Sequence, residues 1–179
     1  MASIMIVSGC PGTGKTTLSK ALAQAEPAGL HLVTDTFYQF PAHPLDPTTP
    51  ASHAQNTTVM KAIGRATAAF VEGGYDVFLD GVVGPWFLPT LLHEWGAVAR
   101  VEYVILRATL EEALARVLRR DGPEITARVY AMHEAFANVE GYGKHGIDTT
   151  ARAVEEVRAE YIQRRRRGEF LLGSRLSGL

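Results

Sequence analysis

A glycine-rich stretch near the start of the chain has the residue types needed to bind phosphate. It runs Gly9-Cys10-Pro11-Gly12-Thr13-Gly14-Lys15-Thr16, between the apolar run Ile4–Val7 and a helical pattern. Glycines let the backbone curl so that its N–H groups face an anion, and the following helix N-terminus adds further N–H groups. The spacing G-x-x-x-x-G-K-T therefore predicts a phosphate-binding loop of the Walker A type, with a glycine-rich turn that binds nothing as the alternative.

Within this loop, Lys15 could reach the β- and γ-phosphates of a nucleotide, and the hydroxyl of Thr16 could coordinate Mg²⁺. The full set of nucleotide-binding residues predicted from the loop is Gly9, Pro11, Gly12, Thr13, Gly14, Lys15, Thr16 and Thr17.

Two aspartates stand at the ends of apolar segments. Asp35 follows residues 30–34, and there it could accept the proton of a substrate hydroxyl that attacks phosphorus. Asp80 ends residues 75–79 as a Walker B aspartate does, so it could hold Mg²⁺ directly or through water. The alternative for each is a cap of the following turn or helix.

Three arginines, Arg116, Arg119 and Arg120, lie on one predicted helix just before the break Asp121-Gly122-Pro123. Phosphoryl transfer needs positive charge on the migrating group, and an arginine on a closing lid also excludes water. Arg120 is the candidate for catalysis and the other two are candidates for binding the nucleotide, with Arg128 as a further one. The alternative is a solvated helix face, which we expect for at least one of the three.

Strand and helix patterns alternate along the chain. Strands are predicted at residues 3–8, 30–34, 75–79, 100–107 and 145–148. Helices are predicted at residues 14–26, 57–72, 86–95, about 109–120, about 125–136 and from Thr149 or Thr150 to about 167. Alternation indicates a parallel sheet covered on both faces, whose ligands bind outside the carboxyl ends of the strands. The phosphate-binding loop, Asp35 and Asp80 should therefore meet at one edge.

Residues 36–57 differ from the rest because four prolines recur among histidines, threonines and alanines. We expect a long loop with at most a short helix. Long ordered loops in compact domains usually serve function, although a disordered surface excursion is the alternative. Trp86 could line the same pocket or simply pack in the core.

The bulk properties exclude several classes of protein. The 179 residues fit one domain, and the net charge of −1 gives no overall attraction to nucleic acid or membrane. One cysteine rules out an intramolecular disulfide and favours a reducing, cytoplasmic location. Neither a signal peptide nor a transmembrane helix is expected.

The run Arg164–Arg167 is interpreted as a solvated helix end rather than a nucleic-acid patch. The oligomeric state, a homo-oligomer included, is left open.

With these residues placed, the chain resembles the small P-loop kinases of the nucleoside-monophosphate-kinase-like group, and is most similar to the chloramphenicol phosphotransferase-like kinases. The likeness rests on the phosphate-binding loop, the two aspartates, the arginine-bearing helix with its lid, and the stretches Tyr130–Glu134 and Ile147–Thr150. Gluconate kinases and zeta toxins share the earlier points less closely. Residues 36–57 match neither an antibiotic-binding region nor the gluconate-kinase pattern.

The resemblance implies a three-layer α/β P-loop NTPase fold with a five-stranded parallel sheet of order 2-3-1-4-5. It implies one domain over residues 1–179, with residues 36–57 on the substrate side and a lid at residues 119–128. It further implies an ATP- and Mg²⁺-dependent phosphotransferase acting on the hydroxyl of a small molecule. Asp35 would be the base, the lid arginines would bind phosphates, and Arg116 would contact adenine or phosphate.

Two other functions are weighed against this reading. One is a nucleotide-binding regulatory ATPase or switch, of which the GTPase form is disfavoured because no N-K-x-D motif occurs. The other is a kinase acting on a nucleotide-sugar, a peptidoglycan precursor or a nucleic-acid end, and the near-neutral charge weighs against polynucleotides.

Overall fold

The computed structural model describes residues 2–96, 100–137 and 139–172. Strands and helices alternate along these ranges. The strands are β1 (Ser3–Gly9), β2 (Gly29–Val33), β3 (Asp76–Asp80), β4 (Arg100–Arg107) and β5 (Gly146–Asp148). The α-helices are α1 (Lys15–Ala25), α2 (His53–Glu72), α3 (Leu88–Trp95), α4 (Leu110–Asp121), α5 (Thr126–Ala137) and α6 (Val154–Arg166).

The five strands form one parallel sheet in the order β2-β3-β1-β4-β5, which confirms the predicted fold. Asp80 is in register with Val33 on one side and with Val7 on the other. The carboxyl ends of β1, β2 and β3 therefore lie at one edge of the sheet, where the chain continues into the phosphate-binding loop and the segment that carries Asp35.

The sheet is buried on both faces, as expected for continuous apolar strands joined by helices. Ile4 and Ile6 pack in a cluster with α2, α3, α4 and α5, whereas Met5 and Val7 pack in a second cluster with α1 and α6. Neighbours in a parallel register point to the same face. Asp80 thus shares the face of Val7, which is the face where α1 begins.

Two element boundaries beside the predicted site differ from the sequence-based prediction. The second strand ends at Val33, and residues 34–39 form a 3₁₀ helix that carries Asp35. Helix α2 begins at His53 instead of residue 57, because a 3₁₀ turn opened by Pro50 leads directly into it. The substrate-side loop predicted at residues 36–57 is therefore shorter. The segment predicted as a lid, residues 119–128, consists of the last residues of α4, a 3₁₀ turn at Pro123–Ile125 and the first residues of α5.

The last helix also begins later than predicted, at Val154. The hydroxyl of Thr149 is already engaged, because it donates to the carbonyl oxygens of Thr13 and Arg107 at 3.1 and 3.0 Å. Ala151 has a φ of 51°, a left-handed conformation that interrupts any helix. The N-terminus of α6 is instead satisfied by Glu156, whose carboxylate accepts from the N–H of Ala153 at 2.8 Å.

The expectation of a solvated basic helix end is wrong for two of its four arginines. Arg164 pairs with Glu160 and Glu169 and stacks 4.9 Å from the ring centroid of Phe170. Arg165 pairs with Glu102, which is buried on the central part of the sheet. These arginines therefore fasten α6 and the following residues to the sheet.

Of the helices within the described ranges, none has the combined length and apolar character that a bilayer-spanning helix needs. The sequence predicts a tail of mostly small residues at 168–179, and the described residues end within it, at Leu172. Phe170 in this stretch is fully buried.

Candidate active site

The phosphate-binding loop has the curled backbone that its glycines predict. Gly9, Gly12 and Gly14 have φ values of 137°, 86° and 89°. Gly12 also rests on the start of α4, since a Cβ added there would lie 2.4 Å from the carbonyl oxygen of Ala113. The loop is therefore held against a helix backbone by a contact that only glycine permits.

Lys15 is a buried cation beneath this loop. Its Nζ donates to the carbonyl oxygen of Cys10 at 2.9 Å. An ammonium group has three N–H donors, so this single bond leaves capacity for anionic oxygens. Burial lowers the pKa of Lys15, and the carboxylates of Asp80 and Asp35 act in the opposite direction. A cation with unused donors under a glycine loop fits the phosphates of a nucleotide.

A cleft of about 120 Å³, here named the Lys15 cleft, is lined by all three predicted catalytic residues and by Asp80. Lys15, Asp35, Asp80 and Arg120 all line it although they are far apart in sequence. Loop residues Pro11, Gly12, Gly14, Thr16 and Thr17 line it as well. The structure thus brings a cation, two carboxylates and a guanidinium around one space.

Asp80 is fixed in this cleft by its neighbours. Its Oδ2 lies 3.1 Å from Nε2 of His31, and its backbone carbonyl accepts from the hydroxyl of Thr34 at 3.2 Å. Thr16, which has a hydroxyl side chain and lies in the first turn of α1, lines the same cleft. A carboxylate and a hydroxyl are the hard oxygen ligands that Mg²⁺ prefers, so these two residues fit the predicted metal role.

The arginines of α4 separate into different positions. Arg120 lines the Lys15 cleft, but its guanidinium is bound to Asp121, with Nη2 to Oδ2 at 2.6 Å and Nε to Oδ1 at 2.8 Å. Arg119 is exposed and does not line this cleft. Arg128, on α5, does line it, and its buried Nε has no hydrogen-bond partner among the described residues. Arg128 thus makes fewer contacts through its guanidinium than Arg120 does, although Arg120 is the sequence-based candidate for catalysis.

Arg116 borders a second space, here named the Arg116 cavity, of about 270 Å³. Its Nη2 donates to the carbonyl of Thr149 at 3.0 Å and its Nη1 to the carbonyl of Gly12 at 3.3 Å. The cavity is also lined by Thr13, Thr17, Leu18, Arg152, Val154 and Val157. This space adjoins the phosphate-binding loop through Thr13, Gly14 and Thr17, and Asp35 does not line it.

A third space, here named the Trp86 cavity, has a volume of about 590 Å³. It shares Asp35, Val82 and Arg128 with the Lys15 cleft. Its other walls come from residues 47–57, from Trp86 and Phe87, and from Met132 of α5. Tyr38 also lines it, and burial together with the charge of Asp35 raises the pKa of Tyr38 to about 12. Its phenol therefore remains protonated and can donate a hydrogen bond.

Sequence reasoning missed two residues at these sites. His31 was not connected with Asp80, although its position two residues before the end of β2 puts it on the same face as Val33, the neighbour of Asp80. Arg152 lines the Arg116 cavity, and its proximity to the stretch Ile147–Thr150 could have suggested it. Gly9 and Thr13, both predicted, support the loop rather than line the Lys15 cleft, because Gly9 packs on β4 and Thr13 bonds to Cys10.

Comparison with known proteins gives a family and a set of similar folds. The family described as AAA domain matches residues 5–141. No curated protein matches the chain.

Similar solved structures include a gluconokinase from Sinorhizobium meliloti 1021, with 17% identity and a TM-score of 0.69, which covers 94% of this chain and 93% of that one. The tunicamycin resistance protein of Deinococcus radiodurans has 21% identity and a TM-score of 0.68, with coverage of 97% and 99%. A shikimate kinase from Acinetobacter baumannii has 15% identity and a TM-score of 0.65, with coverage of 94% and 95%. At these identities the likeness shows the fold, which is that of small P-loop kinases.

Proposed function

Because the chain belongs to the AAA domain family, we propose that it is an ATP-dependent phosphotransferase that moves the γ-phosphate to a hydroxyl of a small molecule. The observation that carries this proposal is the double position of Asp35. It lines the Lys15 cleft, which fits phosphates, and also the much larger Trp86 cavity, which fits an acceptor. A carboxylate between donor and acceptor is where in-line transfer requires a base.

Each residue then has a chemical role. The loop N–H groups and Lys15 bind the phosphate oxygens, while Thr16 and Asp80 would hold Mg²⁺, which when bound neutralises phosphate charge. Asp35 accepts the proton of the acceptor hydroxyl as the oxygen–phosphorus bond forms and ADP leaves. Arg120 and Arg128 donate to the transferring phosphoryl group.

Residues around the Arg116 cavity would hold the nucleoside part of ATP. Arg116 offers a planar guanidinium against which a base can stack, and Val154 and Val157 offer apolar contact. Arg119, exposed on α4, has no assigned role in this arrangement.

The alternative of a regulatory ATPase uses only part of this arrangement. Such a protein needs the nucleotide side, which is the Lys15 cleft and the Arg116 cavity. It leaves the 590 Å³ Trp86 cavity, and the placement of Asp35 in its wall, without a role. Nucleic-acid ends are disfavoured as acceptors because Arg164 and Arg165, in the basic run, are engaged in ion pairs.

The decisive experiment is Asp35→Asn. We expect loss of transfer by about 10²–10⁴-fold, the usual contribution of a general base, with ATP affinity nearly unchanged. Transfer would be measured with labelled ATP against pooled sugars, nucleosides, aminoglycosides and chloramphenicol, and ATP affinity by calorimetry. The matched control is Asp46→Asn, because Asp46 is exposed, directly precedes the cavity residues Pro47 and Thr48 without lining the cavity, and its asparagine can still accept from Thr48.

Wild-type turnover in Asp35→Asn would remove Asp35 from the mechanism. Slow ATP hydrolysis that no acceptor pool accelerates would contradict the transferase and favour the regulatory ATPase.

A further inference from the structure

The indole of Trp86 is unusual because it is both exposed and held in place. Its relative exposure is 51%, yet its ring centroid lies 6.0 Å from that of Phe136 and 6.1 Å from that of Phe87. A Cβ added at Gly84 would lie 2.2 Å from Cε2 of the indole, so the ring lies directly over a bare glycine backbone. Trp86 therefore offers a fixed aromatic surface to the cavity that it lines.

The charges of the Trp86 cavity are confined to one end. Among its described lining residues, the carboxylate is Asp35 and the guanidinium is Arg128, and both belong to the end shared with the Lys15 cleft. Tyr38 adds a neutral phenol, and His53 is an exposed imidazole. The remaining lining residues are apolar or carry hydroxyl and amide groups: Pro47, Thr48, Thr49, Pro50, Asn56, Thr57, Val82, Trp86, Phe87, Thr90 and Met132.

This distribution disfavours a charged acceptor. A carboxylate or ammonium group on the substrate loses hydration on entering the cavity and needs an opposite charge to compensate. Asp35 and Arg128 are committed to the hydroxyl and the phosphoryl group in the function proposed above. Apart from the exposed imidazole of His53, the charges of polyhydroxy acids and polyamine sugars would thus meet apolar, hydroxyl and amide groups.

The size of the cavity also bears on the acceptor. At 590 Å³ it holds about twenty water volumes of ~30 Å³ each, and it falls within the range of about 300–1,000 Å³ of sites for drug-sized ligands. The space accommodates a ring system together with a hydroxylated portion that reaches Asp35.

Resting on the proposed function, we propose that the acceptor is an uncharged alcohol with a flat ring that stacks on Trp86. A nucleoside and an aryl glycoside share this chemistry. The ring occupies the Trp86 end of the cavity, and the reacting hydroxyl lies at the Asp35 end.

The test uses paired probes that differ in the ring. Thymidine is compared with 2-deoxyribose, and phenyl β-glucoside with methyl β-glucoside, while D-gluconate serves as the charged acid. Binding is measured by calorimetry on wild-type protein and on Asp35→Asn, so that no phosphate transfer is needed for the readout. At least one ring-bearing probe should bind more tightly than its ringless partner and more tightly than D-gluconate. The thymidine and phenyl glucoside arms distinguish a nucleoside from an aryl glycoside.

Substitutions of Trp86 locate the binding. Trp86→Leu should weaken binding of the ring-bearing probe roughly ten- to hundred-fold, as loss of a stacking partner does, whereas Trp86→Phe keeps an aromatic face and should stay within a few-fold of wild type. Gly84→Ala, which displaces the indole without removing it, should resemble Trp86→Leu. ATP affinity should be unchanged in all three variants.

Three results would overturn the inference. Neither ring-bearing probe binds at millimolar concentration, D-gluconate binds more tightly than both, or Trp86→Leu binds the preferred probe as tightly as wild type does.

Failure of this inference is distinguishable from failure of the proposed function. A ring-bearing alcohol that binds at Trp86 without accepting phosphate from ATP would support the inference and contradict the transferase. Phosphorylation of D-gluconate would do the reverse.

Discussion

The contact between the phosphate-binding loop and α4 can be tested by one methyl group. In Gly12→Ala the new Cβ would lie 2.4 Å from the carbonyl oxygen of Ala113 and 2.9 Å from its Cα, both backbone atoms of α4. Neither atom can rotate away, so the loop and the helix must separate by about 1 Å to restore ordinary contact. The loop that binds phosphate would be displaced as a result.

The magnitude follows from two separable costs. An alanine at a φ of 86° loses roughly 1–2 kcal/mol, because the left-handed conformation brings Cβ against its own backbone. Overpacking adds about 1–3 kcal/mol. Gly74 is a matched control, since its φ is 90° and an added Cβ there meets nothing within 4 Å. Gly74→Ala should thus lose only the first cost, ~1–2 kcal/mol.

Urea unfolding of both variants would measure the difference, which should be about 1–3 kcal/mol in the free energy of unfolding. The corresponding difference in Tm is roughly 2–12 °C for a chain of this size. ATP affinity, measured by calorimetry, should fall in Gly12→Ala and stay unchanged in Gly74→Ala. If the two variants agree within about 0.5 kcal/mol, the loop is not packed on α4 as described, and the steric reasoning fails.

Two further outcomes are expected. Asp121→Asn should raise ATP affinity several-fold by calorimetry, because it weakens the hydrogen bonds that occupy the guanidinium donors of Arg120 in the cleft wall. Stability should change by less than about 1 kcal/mol at this exposed pair. Unchanged affinity would show that Asp121 does not compete with phosphate. Burial lowers the pKa of His145, so the unfolded chain binds a proton more readily, and stability should fall as the pH drops below about 6.5. His145→Asn, whose amide nitrogen takes the position of Nδ1 and can still donate to the carbonyl of Tyr103, should flatten that dependence in urea unfolding series, and an unaltered slope would exclude His145 as its source.

The parts of the fold that follow from local chemistry could be predicted from sequence. The loop needs only its own glycines and Lys15, and apolar runs alternating with helical patterns imply a parallel sheet. The strand order came from resemblance to a family, because alternation alone is compatible with several orders. The meeting of Asp35 and Asp80 followed from the rule that carboxyl ends of parallel strands share an edge.

The remaining features depend on contacts between distant segments. The pairing of His31 with Asp80 requires the register of β2 against β3, which no local pattern contains. The late start of α6 has the same cause, since a threonine with good capping chemistry is drawn to the carbonyl of Thr13 instead. The engagement of Arg120 by its own neighbour Asp121 reflects the geometry of a helix end rather than residue type.

The hydrogen bond from Thr149 to the carbonyl of Thr13 brings a late segment of the chain against the phosphate-binding loop, so a bound nucleotide would contact two separate regions of the chain. The AAA domain match ends at residue 141, yet Thr149, Arg152, Val154 and Val157 wall the Arg116 cavity. Under the proposed function, residues inside the family match would bind the phosphates. The nucleoside would be bound jointly by Arg116, inside the match, and by the stretch beyond it, so exchanging that stretch between relatives is a route to altered nucleotide preference with an unchanged phosphate-binding loop.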